Sequence, residues 1–334
     1  MTLNEILGKA ARLLASLAFA AGAGASSADT FPSKPITLVV PFGPGSVADI
    51  VGRVYANDLS TVLNTPVVVD NRPGANQTVA GPYVYRAKPD GYTLFMPALP
   101  IAVLPSMQGK LPYAGVRSFT PIADMLKLGF VMVVAPSVQA QNLQEFMALV
   151  RKDPTKHSFG SAGLSTALHL YGEMFNKELG VKTLHVPYKG GTNEVMVDLI
   201  ANRITFAFVP SGAMEFVRSG RVKAFGLVAD RRDAAYPDLP TMEEAGMLGF
   251  KTTTDAPAAH LFIVGPPQMP ADIQKKLNEA SNMVLSNPAF PGKVRAVGIV
   301  GMSPQGNPAQ VAAAISTGEA RWDALIKGAN IPLE

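Results

Sequence analysis

Cysteine is absent from the 334 residues, tryptophan occurs once and histidine four times. The missing cysteines exclude a disulfide scaffold, a thiol nucleophile, an iron–sulfur cluster and any cysteine-based zinc site. His157, His185 and His260 form no metal-ligand spacing. Charge is sparse too, at 16% of residues, which excludes a solvated disordered chain and a charge-laced coiled coil. The basic excess is only four charges with no basic run, and Arg231-Arg232 stands alone. Nucleic-acid binding would need such groups gathered on one face. Beyond the first residues no apolar stretch reaches the ~20 residues of a membrane span. What the chain has is 48% apolar residues, enough to bury the cores of two ordinary domains.

Residues 1–28 read as a secretory signal peptide. Lys9 and Arg12 precede the apolar run from Leu13 to Ala21. Small residues follow, with Ala23-Gly24-Ala25 and Ser26-Ser27-Ala28 as candidate cleavage sites. The expected product is an exported protein, periplasmic where the host has an outer membrane.

Downstream, short apolar runs alternate with helical patterns. Strands are expected at 35–41, 67–69 and 92–96, with a helix after the first carrying Val47, Ile50, Val51 and Val54 on its apolar stripe. The turn Arg72-Pro73-Gly74 leads to a second helix ending before Pro89. The rhythm restarts with a strand at 130–134, a helix capped by Asn142, and strands at 158–160, 184–186, 204–208 and 224–228. After the apolar run 261–264, helices dominate, one over 270–285 with Ile273, Leu277, Ala280 and Val284 inward. Such alternation predicts mostly parallel sheets covered on both faces. We read two α/β domains, one from 29–127 completed by 254–334, the other from 128–253.

Three glycine-containing turns enter helices. The first, Phe42-Gly43-Pro44-Gly45-Ser46, follows a strand and precedes Ala48 and Asp49. First-turn N–H groups and the positive helix end suit a carboxylate or phosphate, while Asp49 suits either a cap or a ligand hydroxyl or amine. Gly43-x-Gly45-x-x-Ala48 also matches the dinucleotide fingerprint of an NAD-dependent oxidoreductase, with Asp70 as its acid. Asp70 lies 27 positions after Gly43, beyond the usual spacing of about 20. The second turn runs from Ser161 through Gly163, Ser165 and Thr166 to His169. Its Gly163-Leu164-Ser165-Thr166-Ala167 approaches a nucleophile elbow but lacks the closing glycine. The third, Lys189-Gly190-Gly191-Thr192-Asn193, offers a cation and hydrogen-bond donors. Facing one cleft, the three would clamp a small anion without nucleophile, metal or cofactor.

Several longer segments carry a family likeness: Phe31-Pro32-Ser33-Lys34-Pro35-Ile36, Asn71-Arg72-Pro73-Gly74-Ala75, Lys88-Pro89-Asp90-Gly91-Tyr92-Thr93-Leu94, Val186-Pro187-Tyr188-Lys189-Gly190 and Glu319-x-x-Trp322. With the first two turns they make residues 31–331 resemble the Bug-type solute receptors of tripartite tricarboxylate transporters. The resemblance implies an α/β periplasmic binding protein type II clamshell, monomeric and without enzymatic activity or cofactor. It implies a small organic carboxylate as ligand (a di- or tricarboxylate, acidic amino acid or aromatic acid) and membrane transporter subunits as partners, with no nucleic acid. By the same likeness the ligand carboxylate meets Phe42, Gly43, Gly45, Ser46, Ala48 and Asp49, partly through ordered water, with Ala98 beside them. Ser161, Gly163, Ser165, Thr166, His169, Lys189, Gly191 and Thr192 contribute from the second domain. The chain departs from the family pattern at Ser46 and at Asn76-Gln77-Thr78, where glycines are common. It departs again at 254–260, usually aromatic-rich, where Asp255 is a further candidate contact.

Overall fold

The computed structural model describes residues 31–74, 77–98, 111–164, 166–188, 191–229, 231–233, 236–253, 259–295, 299–303 and 305–329. The expected signal peptide, Ser165, Lys189 and Asp255 lie outside them.

In chain order the first elements are β1 (Ile36–Val40), α1 (Val47–Leu63), β2 (Val67–Asn71), α2 (Ala80–Tyr85) and β3 (Thr93–Phe95). Two strands follow almost without a break, β4 (Thr120–Leu128) and β5 (Phe130–Val134). Next come α3 (Leu143–Lys152), β6 (Ser158–Ser161), α4 (Ala167–Leu179), β7 (Leu184–Pro187), α5 (Thr192–Ile200), β8 (Phe206–Pro210), α6 (Met214–Arg218) and β9 (Lys223–Val228). The chain closes with β10 (Ala259–Gly265), α7 (Ala271–Leu285), α8 (Phe290–Val294), β11 (Ile299–Met302) and α9 (Pro308–Ala329).

Among the described residues the strands form two sheets, ordered β11-β4-β10-β3-β1-β2 and β7-β6-β8-β5-β9. They share a plan. In each, a central strand (β1 or β6) lies parallel to both its neighbours (β2 and β3, or β7 and β8). The helices that follow the central strand and its outer neighbour make the connections long enough for parallel pairing. An antiparallel strand then joins each parallel trio: β10 beside β3, and β5 beside β8.

The sheets are therefore mixed, not mostly parallel. β10 enters its sheet after the chain has built the other one, so it runs against both β3 and β4. The sequence reading also passed over β4 and β11. Pro121, Asp124 and Lys127 interrupt the apolar run of β4. Buried Asp124 is tolerated mid-strand because Ser303 Oγ donates to it at 2.5 Å and His260 Nδ1 lies 3.2 Å away.

The stripe of α1 is also rotated from expectation. Its buried residues include Ala48, Val51, Tyr55, Ala56 and Leu59, whereas Ile50 is 40% exposed. Gly52 sets this rotation, because a Cβ there would stand 3.1 Å from Val40 Cγ2 and 3.2 Å from Met96 Cε. The helix thus presses its glycine onto β1 and leaves Ile50 outside. Asn142 caps α3 as expected, accepting from the Glu145 N–H.

The last helix, α9, packs on β4 and reaches α4. Glu319 and Trp322 sit one turn apart, both buried. The carboxylate accepts from Arg117 N at 3.0 Å and Nη1 at 2.8 Å, and the indole ring lies 5.8 Å from Tyr171 of α4. A second close approach sits in α4, where a Cβ on Gly172 would land on the ring of Phe159. Alanine gains helix propensity of up to about 1 kcal/mol over glycine, while overpacking a rigid ring costs about 1–3 kcal/mol. Gly172→Ala is therefore expected to lower unfolding stability, as read from the denaturant midpoint at unchanged slope.

Candidate functional site

Where strand order reverses about a central parallel strand, its following loop and that of a neighbour leave towards opposite faces and open a crevice at the carboxyl edge. Each sheet has one such point, at the end of β1 and at the end of β6. The first and second glycine turns occupy those two places. The third turn follows β7, the neighbour of β6, and so shares its edge, where Tyr188 N–H donates to Ser161 O at 2.9 Å. Ala98 follows β3 on the edge that carries the first turn.

In the first turn Ser46 caps α1, its Oγ accepting from Asp49 N at 3.2 Å. Asp49 in turn accepts the Gly45 N–H at 2.9 Å, a variant of the reciprocal cap. The residue is 3% exposed and its carboxylate fully engaged. Arg53 reaches both oxygens, with Nε 3.1 Å from Oδ2 and Nη2 2.9 Å from Oδ1, and Asn71 Nδ2 donates to Oδ1 at 2.8 Å. Burial by itself would raise this pKa, yet the bonds from Arg53, Gly45 and Asn71 outweigh it and hold the carboxyl below its ordinary value. Asp49 thus braces the turn. The N–H groups of Val47 and Ala48 have no partner among the described residues.

Both backbone groups of Ala98, a predicted ligand contact, are bonded within the protein. Its N–H donates to Gln77 Oε1 and its carbonyl accepts from Gln77 Nε2, both at 3.2 Å. Asp70, the acid a dinucleotide site would need, pairs with Arg72 Nε at 2.7 Å. Sequence reasoning missed Arg53, Asn71 and Gln77. The signal for Arg53 was its place one helical turn after Asp49.

In the second turn Thr166 caps α4, accepting from His169 N at 3.4 Å and donating to Gly163 O at 2.8 Å. Ser161, wholly buried, bonds both the carbonyl and the N–H of Gly163. Its Oγ also lies 2.7 Å from His185 Nε2, another residue the sequence reading left out. Gly191 caps α5 and Thr192 is its first residue. The Ala167 and Leu168 N–H groups, in nearly buried residues, lack a partner among the described residues. Gly45, Gly163 and Gly191 take φ of 78°, 111° and 81°, and a Cβ on any of them would meet nothing within 4 Å. Backbone at these turns therefore borders open space, where a ligand can approach closely.

The His169 and His185 rings lie 4.3 Å apart and tilted by 31°, and His185 stacks on the ring of Phe159 at 4.7 Å. Burial drives their pKa values down to about 3 and about 4, with His185 adding to the effect on His169. Both rings are neutral at ordinary pH, so the second turn presents donors without net charge. The unfolded chain binds protons on these rings below about 6.5 and the folded chain does not, so stability falls as pH drops from 6.5 towards 4. Melting temperature measured across that window should decline, and His185→Gln should make the decline shallower.

Residues 51–331 match the model of the tripartite tricarboxylate transporter family receptor. A UPF0065 protein of Bordetella pertussis is 32% identical over 281 residues, 84% of this chain and 85% of its own length. The periplasmic binding protein BugD aligns at a TM-score of 0.81 with 29% identity, covering 90% of this chain and 99% of BugD. MatC of Rhodopseudomonas palustris, solved with bound malate, aligns at 0.79 with 27% identity, covering 89% and 100%. The chain belongs to the tripartite tricarboxylate transporter receptor family, periplasmic solute-binding proteins of two-domain α/β fold.

Proposed function

We propose that the protein closes around a small dicarboxylate between its two lobes and presents it to tripartite tricarboxylate-type membrane subunits. The observation that carries this reading is the set of first-turn amides without a partner among the described residues, Val47 and Ala48 in one lobe and Ala167 and Leu168 in the other. Each pair sits at a positive helix end on a strand-order reversal, where a carboxylate is the natural guest. A dicarboxylate has one such group for each lobe. Malate bound to MatC, a structure of the same fold, supports that ligand class. In this reading residues 29–127 and 254–334 form one lobe and 128–253 the other, as the strand membership of the two sheets supports. The glycine turns of both lobes line the crevice, with buried Asp49, Ser161 and His169 bracing them from behind, while Lys189 neutralises part of the bound charge and residues 1–28 direct export.

Binding energy comes from charge-assisted hydrogen bonds made in a crevice that closure dries. Closure then shifts the open–closed population and changes the surface that a transporter meets. Calorimetric titration with malate, succinate and glutarate should give micromolar or tighter binding to at least one, and silence across the three would sink the reading. Gly45→Val forces a β-branched residue to φ near 78°, at a cost of about 1–2 kcal/mol. It should weaken dicarboxylate binding at least about tenfold with the far-ultraviolet circular dichroism unchanged.

A further inference from the structure

We infer that Asn71 and Arg53 are positioning residues for the first ligand turn, a role that rests on the carboxylate reading of that turn. Internally the turn is held by little, a single backbone bond from Ser46 N to Gly43 O at 3.2 Å. Among the described residues no side chain fills the space beside Gly43 or Gly45. Its shape must come from outside.

Asn71 provides it. This residue ends β2 in register with Val40, the last residue of β1, so the sheet itself sets its distance from the turn. Its Nδ2 donates to Phe42 O at 2.9 Å and to Asp49 Oδ1 at 2.8 Å. One amide group thereby ties the entry of the turn to the first turn of α1. Arg53 holds the amide in that orientation, donating from Nη2 to Asn71 Oδ1 at 2.9 Å while its Nε reaches Asp49 Oδ2. Asp49 Oδ2 then takes the Gly45 N–H. The chain of bonds runs from an exposed guanidinium to the two ends of the turn, and it leaves Asp49 no oxygen for a ligand ammonium.

The second lobe repeats the device with different chemistry. His185 of β7, the outer neighbour of β6, reaches Ser161 at the end of β6, and Ser161 grips Gly163. In both lobes a side chain of the outer strand fixes the turn that leaves the central strand.

Asn71→Ala, Asn71→Leu and Arg53→Gln test the role through malate titration and amide hydrogen exchange of the ligand-free protein. Asn71→Ala and Arg53→Gln should each bind malate about tenfold more weakly. Their Gly45 amide should exchange faster while the melting temperature stays within a few degrees of the parent. Asn71→Leu keeps the volume without the donors and should fail in the same way. Recovery of affinity by leucine would show a space-filling residue and overturn the inference. If the parent protein ignores malate, the carboxylate reading fails separately. Exchange at Gly45 then decides alone, with unchanged rates in Asn71→Ala and Arg53→Gln ending the positioning role.

Discussion

A helix that follows a parallel strand begins with amides that no residue of its own can satisfy. That constraint governs this molecule twice. At the ends of β1 and β6 those amides sit on a strand-order reversal, beside glycines whose side-chain space is empty. Left without a partner among the described residues, such donors at a positive helix end can take an acceptor from outside. Asn71 and Arg53 at one turn, and His185 and Ser161 at the other, hold them in place.

The holding is done by polar groups that carry little or no uncompensated charge. Asp49 is buried, ionised and matched by Arg53, Asn71 and a backbone amide. Burying a carboxylate is tolerable only with such partners, since its desolvation cost is large. In the other lobe His169 and His185 are kept neutral by their surroundings, and Ser161 transmits their rigidity to Gly163. An acceptor that arrives at either turn therefore meets oriented dipoles. Orientation fixed before binding removes a cost that a mobile loop would have to meet on each capture.

The glycines and the aromatic packing divide the labour between opening and support. Gly172 has no room for a side chain and Gly52 very little, and each lets a helix lie close to what it covers. Gly45, Gly163 and Gly191 have positive φ and open space beside them among the described residues, and each leaves backbone accessible at its turn. The last helix, α9, inserts Trp322 against Tyr171 and ties Glu319 to Arg117, so it packs against β4 of one sheet and α4 beside the other.

Much of this was legible in the residues in order. Apolar runs of strand length gave away β1, β3, β5 and β8, the Asn142 cap opened α3, and glycine turns before helices marked all three candidate turns, because these are local signals of period, cap and φ. Family likeness of the quoted segments pointed to the receptor fold. Tertiary structure alone decided the rest. The direction of β10 depends on where the chain stands after building the second sheet, which no window of residues encodes. β4 was hidden because Asp124 looks unfit for a buried strand until Ser303 and His260, far along the chain, are seen beside it. Asp49 likewise read as a possible ligand contact until Arg53 and Asn71 closed around it. A residue's chemistry can be read from its type, but whether that chemistry is spent inside the protein or offered outward depends on which distant neighbours the fold brings within hydrogen-bond reach.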